Sequence, residues 1–301
     1  MNANFDLQWV DPVSAACRKS VIKGVNGMLT ENKTHFVRRS WTEIRLDRLA
    51  ENVRIYKEQC HAREIMAVVK ADAYGHGAYE CARTLIENGA DGLCIATVDE
   101  AIHLRQGGIT ARLLILGGVD VSRYADVIRY RVDMAVYDVE TARLLSDEAV
   151  KLGGSCDIHI KLDTGMHRLG FTSDELTPLK EYLKTAQEVE VKSIYSHLCV
   201  AEDPEEDAFT MGQLSLFERN SLSLIASLGY RPMRHILNSA GIERFPEYQY
   251  DMVVFANVIV NGHAPDDDTV VAVFTEDGEL RGVGRMLTQD GEDYMLLRIY
   301  S

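Results

Sequence analysis

A lysine that directly follows an apolar run is the residue of this sequence best suited to covalent chemistry. Residues 65–69 (IMAVV) are apolar without interruption, and the lack of alternation predicts a β-strand buried on both faces. Lys70 comes next, so its amine lies beside apolar walls, where desolvation disfavours the ammonium form. The neutral amine is a nucleophile that forms Schiff bases with carbonyl compounds. Because most lysines are exposed, an ordinary solvated lysine is the alternative for this run taken alone.

The seven residues after Lys70 (ADAYGHG) strengthen the covalent interpretation. Gly75 and Gly77 allow the backbone to turn tightly or to approach a ligand closely. Tyr74 adds a polar group to the same turn, whereas His76 fits a place on the rim and receives no role. The segment therefore predicts a ligand-binding turn that carries a reactive amine.

Further polar candidates also follow apolar runs. They are Met166 and Arg168 after run 158–162, His197 after run 191–195, and Asn238 and Ser239 after run 235–237. Lys161, inside the first of these runs, is the only other lysine at such a strand end and competes with Lys70. Each candidate has an ordinary alternative: a packed rim histidine, a helix cap at Asn238, or an ion pair between Lys161 and Asp163. Their recurrence at the same place in successive units favours a shared site.

The positions of these candidates depend on an alternation of strands and helices. Besides 65–69, the runs that predict strands are 92–96, 113–116, 134–136, 158–162, 191–195, 235–237 and, as an eighth, part of 252–260. Helical periodicity lies between them, at 78–88, 99–106, 139–152, 174–186 and 211–228. Repeated βα units predict a parallel sheet, and eight of them close most economically as a (β/α)8 TIM-type barrel. In a barrel the candidates converge on the mouth formed by the carboxyl ends of the strands.

A doubly wound open sheet is the alternative that this alternation leaves open. No Gly-x-Gly-x-x-Gly follows a predicted strand, which counts against a dinucleotide-binding fold. The pattern changes after residue 262. Residues 269–281, with Asp-Gly between apolar runs, predict a β-hairpin, and residues 294–300 predict one more strand. The expected fold is therefore a barrel followed by a short β-rich segment.

Composition narrows the classes of function. The 301-residue chain carries a formal net charge of -14, which argues against nucleic-acid and anionic-membrane partners. No apolar run approaches the ~20 residues of a transmembrane helix, and the first residues lack the pattern of a signal peptide, so a cytoplasmic location is expected. The six cysteines form no Cys-x-x-Cys pair, so neither a metal site nor a disulfide framework is predicted.

The stretch VVKADAYGHG (68–77) resembles the pyridoxal-phosphate lysine motif of the alanine racemases. The resemblance begins near WTEI (41–44) and continues in order through DTGMHRLGF (163–171), YSHL (195–198), NSAG (238–241) and YQYDMV (248–253). It covers residues 39 to 253, and so many motifs in the right order are specific. His167 and the Leu198-Cys199 pair lean toward the alanine/serine branch of the family.

The resemblance implies a barrel that binds pyridoxal 5'-phosphate and interconverts L- and D-alanine, or serine, as an isomerase of D-alanine biosynthesis. Lys70 would hold the cofactor as an internal aldimine and act afterwards as an acid/base group. Cofactor contacts would come from Tyr74, Asn238 and Ser239 near the phosphate, His197 against the ring, and Arg168 at the phenolic oxygen. Arg168 and Met166 would bind the substrate amino acid. Lys161 matches a position that is often carbamylated in the family to orient that arginine.

The resemblance stops after Val253. The family continues with an arginine that faces the pyridine nitrogen, and Val254 stands at that position here. The family also carries a long C-terminal β-domain that supplies a second catalytic tyrosine from the partner subunit, which implies a homodimer. The expected organisation is an extension at 1–38, partly ordered, a pyridoxal-phosphate barrel at 39–262 and a hairpin tail at 263–301 that is a remnant of that domain.

Three functional interpretations follow, because the sequence resembles the family up to Val253 and departs from it afterwards. The first is a racemase. The second is a pyridoxal-phosphate-binding barrel without racemase turnover, acting as a carrier or regulator of the cofactor. The third is an inactive remnant. A frame change in the gene, a truncation and true divergence explain the change after Val253 equally well.

Overall fold

The computed structural model describes residues 44–186 and 188–256 and, after them, the backbone of three strands between residues 270 and 299. The predicted extension at 1–38 lies outside the described residues, as does the WTEI segment except for Ile44. Contacts divide the chain into two compact units. The unit Ala50–Val258 contains the barrel, and the three strands after it belong to the other unit.

Eight strands of the first unit form one parallel sheet. They are β1 (Glu64–Val68), β2 (Gly92–Ile95), β3 (Arg112–Ile115), β4 (Asp133–Val136), β5 (Cys156–Lys161), β6 (Val189–Tyr195), β7 (Met233–His235) and β8 (Met252–Phe255). Their order in the sheet is β7-β6-β5-β4-β3-β2-β1-β8. The two ends meet through a backbone hydrogen bond in which the Asp251 N–H donates to the Arg234 carbonyl oxygen at 3.1 Å. The predicted (β/α)8 barrel is confirmed, and the doubly wound alternative is wrong.

Helices alternate with the strands around the barrel. Within the described residues they are α1 (Leu46–Gln59), α2 (Ala78–Glu87), α3 (Val98–Gln106), α4 (Tyr124–Arg129), α5 (Val139–Leu152), α6 (Leu176–Leu183), α7 (Asp207–Leu228) and α8 (Ser239–Arg244). Helix α5 has the predicted bounds because Asp138 caps its first turn and Gly153, in the left-handed conformation, ends it. Helix α7 begins before its predicted start because a 3-10 turn at Pro204–Glu206 leads directly into it. The prediction missed α1 and α4 and gave no bounds for α8, whose start it marked only through a helix cap at Asn238; α4 and α8 are too short to show a helical period.

The barrel interior has an apolar half and a polar half. Strands β8, β1, β2 and β3 form the apolar half through a buried cluster of Met66, Val68, Cys94, Leu114 and Met252, against which Leu116 and Val254 pack. Strands β4 to β7 form the polar half through the buried side chains of Asp133, His159, Lys161, Ser193, Tyr195 and His235. Because Leu114 pairs in register with Asp133, the two sets face the same side of the sheet.

Hydrogen bonds connect the polar half from strand to strand. The two ring nitrogens of His159 bond the Asp133 carboxylate at 3.0 Å and the Ser193 hydroxyl at 2.6 Å. That hydroxyl also lies 3.2 Å from the Nε2 of His235, whose ring stacks on Tyr195 with centroids 4.8 Å apart. Each of these contacts offsets the desolvation of a polar group in the barrel core.

Three antiparallel strands form the second sheet. They are β9 (Val270–Phe274), β10 (Leu280–Gln289) and β11 (Glu292–Ile299), in the order β11-β10-β9. The pairing of β9 with β10 agrees with the predicted hairpin, and β11 covers most of the strand predicted at 294–300.

Candidate active site

The segment after Lys70 folds into a left-handed turn. Ala71, Asp72, Ala73 and Tyr74 have φ angles of 51–57°. This conformation costs a residue with a side chain roughly 1–2 kcal/mol. The surrounding structure must therefore hold the turn in place, and the turn sets the direction in which the chain leaves Lys70.

Hydrogen bonds from several elements hold this turn. Inside it, the Ala73 N–H donates to the carbonyl oxygen four residues earlier at 2.9 Å. The Asp72 carboxylate accepts from the N–H of Ala78, the first residue of α2, at 2.6 Å. The Glu100 carboxylate of α3 accepts from the Ala71 N–H at 2.8 Å. The turn is thus tied to β1, α2 and α3.

Lys161 ends β5 as the second lysine of the barrel mouth. Its side chain is buried, and burial, together with the nearby Arg168 and against the attraction of Asp163, lowers the pKa of the Lys161 amine to about 8. The Lys161 nitrogen lies 5.3 Å from the centroid of the Tyr195 ring. The amine is therefore mostly protonated at pH 7 and half neutral at a pH of about 8.

Arg168 lies on a tight loop after β5. The Asp163 carboxylate accepts from the backbone N–H of His167 at 3.0 Å and bonds its ring Nδ1 at 3.0 Å. Gly170 closes the loop, since a Cβ there would lie only 2.6 Å from the Asp163 backbone nitrogen. Met166 is half-buried in this loop, and Arg168 is exposed.

His197, which follows β6, is the point on which the cationic groups converge. Burial first, and then the positive charges of Lys161, Arg168 and Lys70 in that order, lower the pKa of the His197 imidazole to about 4. The ring is therefore neutral at physiological pH. Three predicted candidates and the competing Lys161 thus lie within electrostatic reach of one another.

Gln213 of α7 holds the loops that carry these residues. Its side-chain amide donates to the His197 carbonyl oxygen at 3.1 Å and to the Thr164 hydroxyl at 3.3 Å. Its side-chain oxygen accepts from the Cys199 N–H at 3.1 Å. The Thr164 hydroxyl also bonds that of Ser196 at 2.8 Å. One buried side chain therefore connects the loop after β5 with the loop after β6.

Tyr195 places an unpartnered hydroxyl in the barrel. Among the described residues, its OH is buried and has no hydrogen-bond partner. Burial raises the pKa of Tyr195, Cys94 raises it further, and Arg168 opposes the shift. The hydroxyl is therefore within electrostatic reach of the apolar half and of the Arg168 loop. A buried hydroxyl without a partner is costly unless a ligand or water bonds it.

Asn238 and Ser239 meet the end of β8 in different ways. The Asn238 side chain caps α8: its oxygen accepts from the Gly241 N–H at 2.9 Å, and its amide donates to the Leu198 carbonyl oxygen at 3.2 Å. The Ser239 hydroxyl accepts from the Ala256 N–H at 3.0 Å. The same hydroxyl donates to the Ala256 carbonyl oxygen at 3.4 Å, so Ser239 bonds the backbone just after β8, whereas the Asn238 amide bonds the loop after β6 and the first turn of α8.

Tyr74 and Val254 belong to the apolar half. Both pack, half-buried, against its cluster. Burial, with a smaller effect of Cys94, raises the pKa of the Tyr74 hydroxyl. Val254 is the register partner of Met66 on β1 and so faces the barrel interior. The position that an arginine occupies in the family motif is part of an apolar wall here.

Three side chains of this site were missed by reasoning from the sequence. Glu100 had a visible signal, because Thr97-x-x-Glu100 is a capping box and Thr97 indeed caps α3. Tyr195 stood in a quoted motif without a role. Gln213 carried no signal, since its partners follow distant strands.

Other kinds of site find less support. No group of three His, Cys, Asp or Glu side chains suited to a metal ion occurs in the described ranges. Cys60, Cys81, Cys94, Cys156 and Cys199 are free thiols. Of the helices that the structure describes, none has the length and apolar character to cross a membrane.

Comparison with known families agrees with this geometry. The family model described as "Alanine racemase, N-terminal domain" matches residues 44–255. Alanine racemase 1 of Oceanobacillus iheyensis is 39% identical over 219 residues, which are 72% of this chain and 58% of the relative. The alanine racemase of Clostridium tetani is 40% identical over 233 residues, 76% of this chain and 59% of the relative. The chain thus spans less than two thirds of the length of these curated relatives.

A solved structure shows the same likeness. The alanine racemase of Clostridium difficile 630 in complex with cycloserine superposes with a TM-score of 0.68 at 31% identity. The superposition covers 82% of this chain and 67% of that chain.

Proposed function

The chain belongs to the alanine racemase family, and we propose that its barrel holds pyridoxal 5'-phosphate on Lys70 and interconverts the enantiomers of alanine or serine. The observation that supports this most is the convergence of Lys70, Lys161 and Arg168 on a neutral His197. Cations grouped in this way repel one another unless an anion joins them. The cofactor phosphate, its phenolic oxygen and the substrate carboxylate are such anions.

The side chains of the mouth fit this cofactor at most points. The Ser239 hydroxyl, bonded here to the N–H and the carbonyl oxygen of Ala256, would exchange these partners for a phosphate oxygen. The neutral ring of His197 can lie against an aromatic ring, and the unpartnered Tyr195 hydroxyl offers a hydrogen bond. The pyridine nitrogen is the exception, since apolar Val254 stands where the family places a cation.

Each residue then has a role toward the substrate. When bound, pyridoxal phosphate withdraws electrons from the Cα of an amino acid, which lets its proton leave. Lys70 would hold the cofactor through its amine and would move the Cα proton on its own face of the substrate. The guanidinium of Arg168 binds a carboxylate through two parallel hydrogen bonds, and Met166 lies on the same loop.

Val254 favours a second candidate function, a barrel that carries pyridoxal phosphate without racemising amino acids. An uncharged neighbour leaves the ring nitrogen to water or to a proton, so the electronics of the ring differ from those of the family. In either case we propose a cytoplasmic protein that acts as a homodimer on a small amino acid.

Two measurements separate these functions. Pyridoxal phosphate added to the purified chain should give a visible absorbance band that borohydride removes. Incubation with L-alanine, followed by chiral separation, then measures D-alanine. A band with D-alanine supports the racemase, and a band without it supports the carrier. Absence of the band contradicts both.

A further inference from the structure

Glu100 connects two loops of the barrel mouth through its two carboxylate oxygens. One oxygen accepts from the Ala71 N–H at 2.8 Å, and the other accepts from the Ala96 N–H at 2.7 Å. Ala71 is the first residue after Lys70, and Ala96 directly follows β2. A half-buried side chain on α3 thus joins the exit of β1 to the exit of β2.

The bond to Ala71 falls where the backbone is most strained. The left-handed turn begins at Ala71, whose φ is 51°. Two other bonds of the turn involve Asp72, whose carboxylate accepts from the Ala78 N–H, and Ala73, whose N–H donates to the Val69 carbonyl oxygen. Among the side chains of the described residues, that of Glu100 is the one that bonds the N–H of the peptide following Lys70.

We infer that Glu100 is a positioning residue for Lys70: it holds the turn after Lys70 so that the lysine amine meets the cofactor in the barrel mouth. The inference rests on the proposed function, in which the Lys70 amine reacts with the aldehyde of pyridoxal phosphate. Glu100 touches neither reactant and acts through the backbone of Ala71.

The chemistry of the bridge requires a carboxylate. An ionised carboxylate only accepts hydrogen bonds, and here each oxygen serves a different N–H. A glutamine amide has one acceptor and directs its NH2 group at the second N–H. Glu100→Gln therefore keeps the size of the side chain while breaking one half of the bridge.

A helix cap is the ordinary role that must be separated from this one. Thr97 caps α3 by accepting from the Glu100 N–H at 3.2 Å, and Glu100 completes that capping box. Thr97→Ala removes this cap without removing the bond to Ala71. Asp138→Ala removes a comparable cap from α5, far along the chain from Lys70. The two variants are the matched controls.

The experiment follows the capture of pyridoxal phosphate over time. Each protein is mixed with pyridoxal phosphate, quenched with borohydride at intervals and digested, and the modified Lys70 and Lys161 peptides are quantified by mass. Amide hydrogen exchange across residues 70–77 is measured on the same proteins without cofactor. Displacement of a reacting group by 1 Å costs up to about 100-fold in rate. Glu100→Gln and Glu100→Ala should slow Lys70 modification by about 10–100-fold and speed exchange at 70–77, while Thr97→Ala and Asp138→Ala stay near the parent.

Two outcomes overturn the inference. The first is a parental rate of Lys70 modification in both Glu100 variants. The second is an equal decrease of that rate in Thr97→Ala, which would show that Glu100 acts only through the cap of α3. If the parent itself is not modified at Lys70, the proposed function fails instead. Exchange at 70–77 then decides the inference alone, because unchanged exchange in Glu100→Ala would show that the bridge does not hold the turn.

Discussion

The apolar and polar halves of the barrel interior are packed by different means. In the apolar half, Met66, Cys94 and Leu114 are fully buried, and each buried methylene contributes about 0.8 kcal/mol. In the polar half, His159 and Ser193 are equally buried but depend on specific partners, and each partner lost costs about 1–3 kcal/mol. The apolar half therefore tolerates changes of shape, whereas the polar half specifies one arrangement. The Tyr195 hydroxyl is the exception, since it is buried without a hydrogen-bond partner among the described residues.

The loops of the two halves are anchored differently as well. The reactive Lys70 leaves the apolar half, where neighbouring side chains offer few polar partners, and Glu100 anchors its turn from α3. His197 leaves the polar half, and Gln213 anchors its loop from α7. In each half, a side chain from a helix thus helps to fix the loops of the catalytic candidates.

Replacing Lys70 should have the largest effect, because Lys70 is the proposed attachment site of the cofactor. In Lys70→Ala we expect the visible band of bound pyridoxal phosphate to disappear, because the amine that holds the cofactor is gone. Lys161→Ala is the control, and it should keep a band. A band that survives in Lys70→Ala but not in Lys161→Ala would move the attachment site to the polar half.

Removing one core residue from each half tests their energetics. His159→Ala removes a hydrogen-bond partner from both Asp133 and Ser193 and should lower the free energy of unfolding by roughly 2–6 kcal/mol, at about 1–3 kcal/mol for each bond lost. Cys94→Ala, equally buried in the apolar half, should cost about 1 kcal/mol. Urea unfolding monitored by circular dichroism measures both. Equal losses would show that the two halves do not differ in kind.

The pKa of Lys161, a residue of the polar half, predicts that the free energy of unfolding depends on pH. Its amine has a pKa of about 8 in the folded protein against 10.5 for an unperturbed lysine, mainly because it is buried. Between these pH values the unfolded chain keeps a proton that the folded protein releases, so stability rises with pH. The rise is at most about 3 kcal/mol.

Lys161→Met removes this titration and keeps the volume of the side chain. The free energies of unfolding of parent and variant are measured from pH 7 to pH 10.5. Above pH 8 that of the parent should rise with pH relative to that of the variant. Parallel curves would mean that Lys161 titrates normally and is solvated.

Val254→Arg should have the smallest effect. It tests whether position 254, in the apolar half, faces the cofactor ring. It places a cation in the apolar wall beside Met66, where the proposed ring nitrogen lies, so the visible band of bound cofactor should shift without being lost. Val254→Leu is the control and should leave the band unchanged. Identical spectra for Val254→Arg and the parent would show that position 254 does not face the ring.

Most strands and the longer helices of the barrel could be predicted because each depends on a local sequence pattern. Seven of the apolar runs lie within two residues of observed strands, and residues 139–152 form α5 as predicted. Gly75 and Gly77 indicated a turn after Lys70, but the left-handed angles also fall on four residues with side chains. These left-handed angles depend on contacts with neighbouring elements, which no local sequence pattern indicates.

The connections of the site could not be predicted, since they join residues distant in sequence. The bonds from Glu100 to Ala71 and from Gln213 to His197 require the closed barrel. The resemblance indicated the cluster around His197 from motifs, whereas the low pKa of His197 arises from burial in the folded barrel and, to a lesser degree, from three cations brought near the ring. Asn238 shows the opposite case, because its cap of α8 is readable from the sequence alone.

A crystal structure of the chain grown with pyridoxal phosphate would test the central claim most directly. We expect continuous electron density from the Lys70 nitrogen to the cofactor, with the ring against His197, the phosphate at Ser239 and a hydrogen bond from the Tyr195 hydroxyl. Cofactor attached to Lys161, or bound outside the mouth with the Tyr195 hydroxyl still unpartnered, would contradict the account.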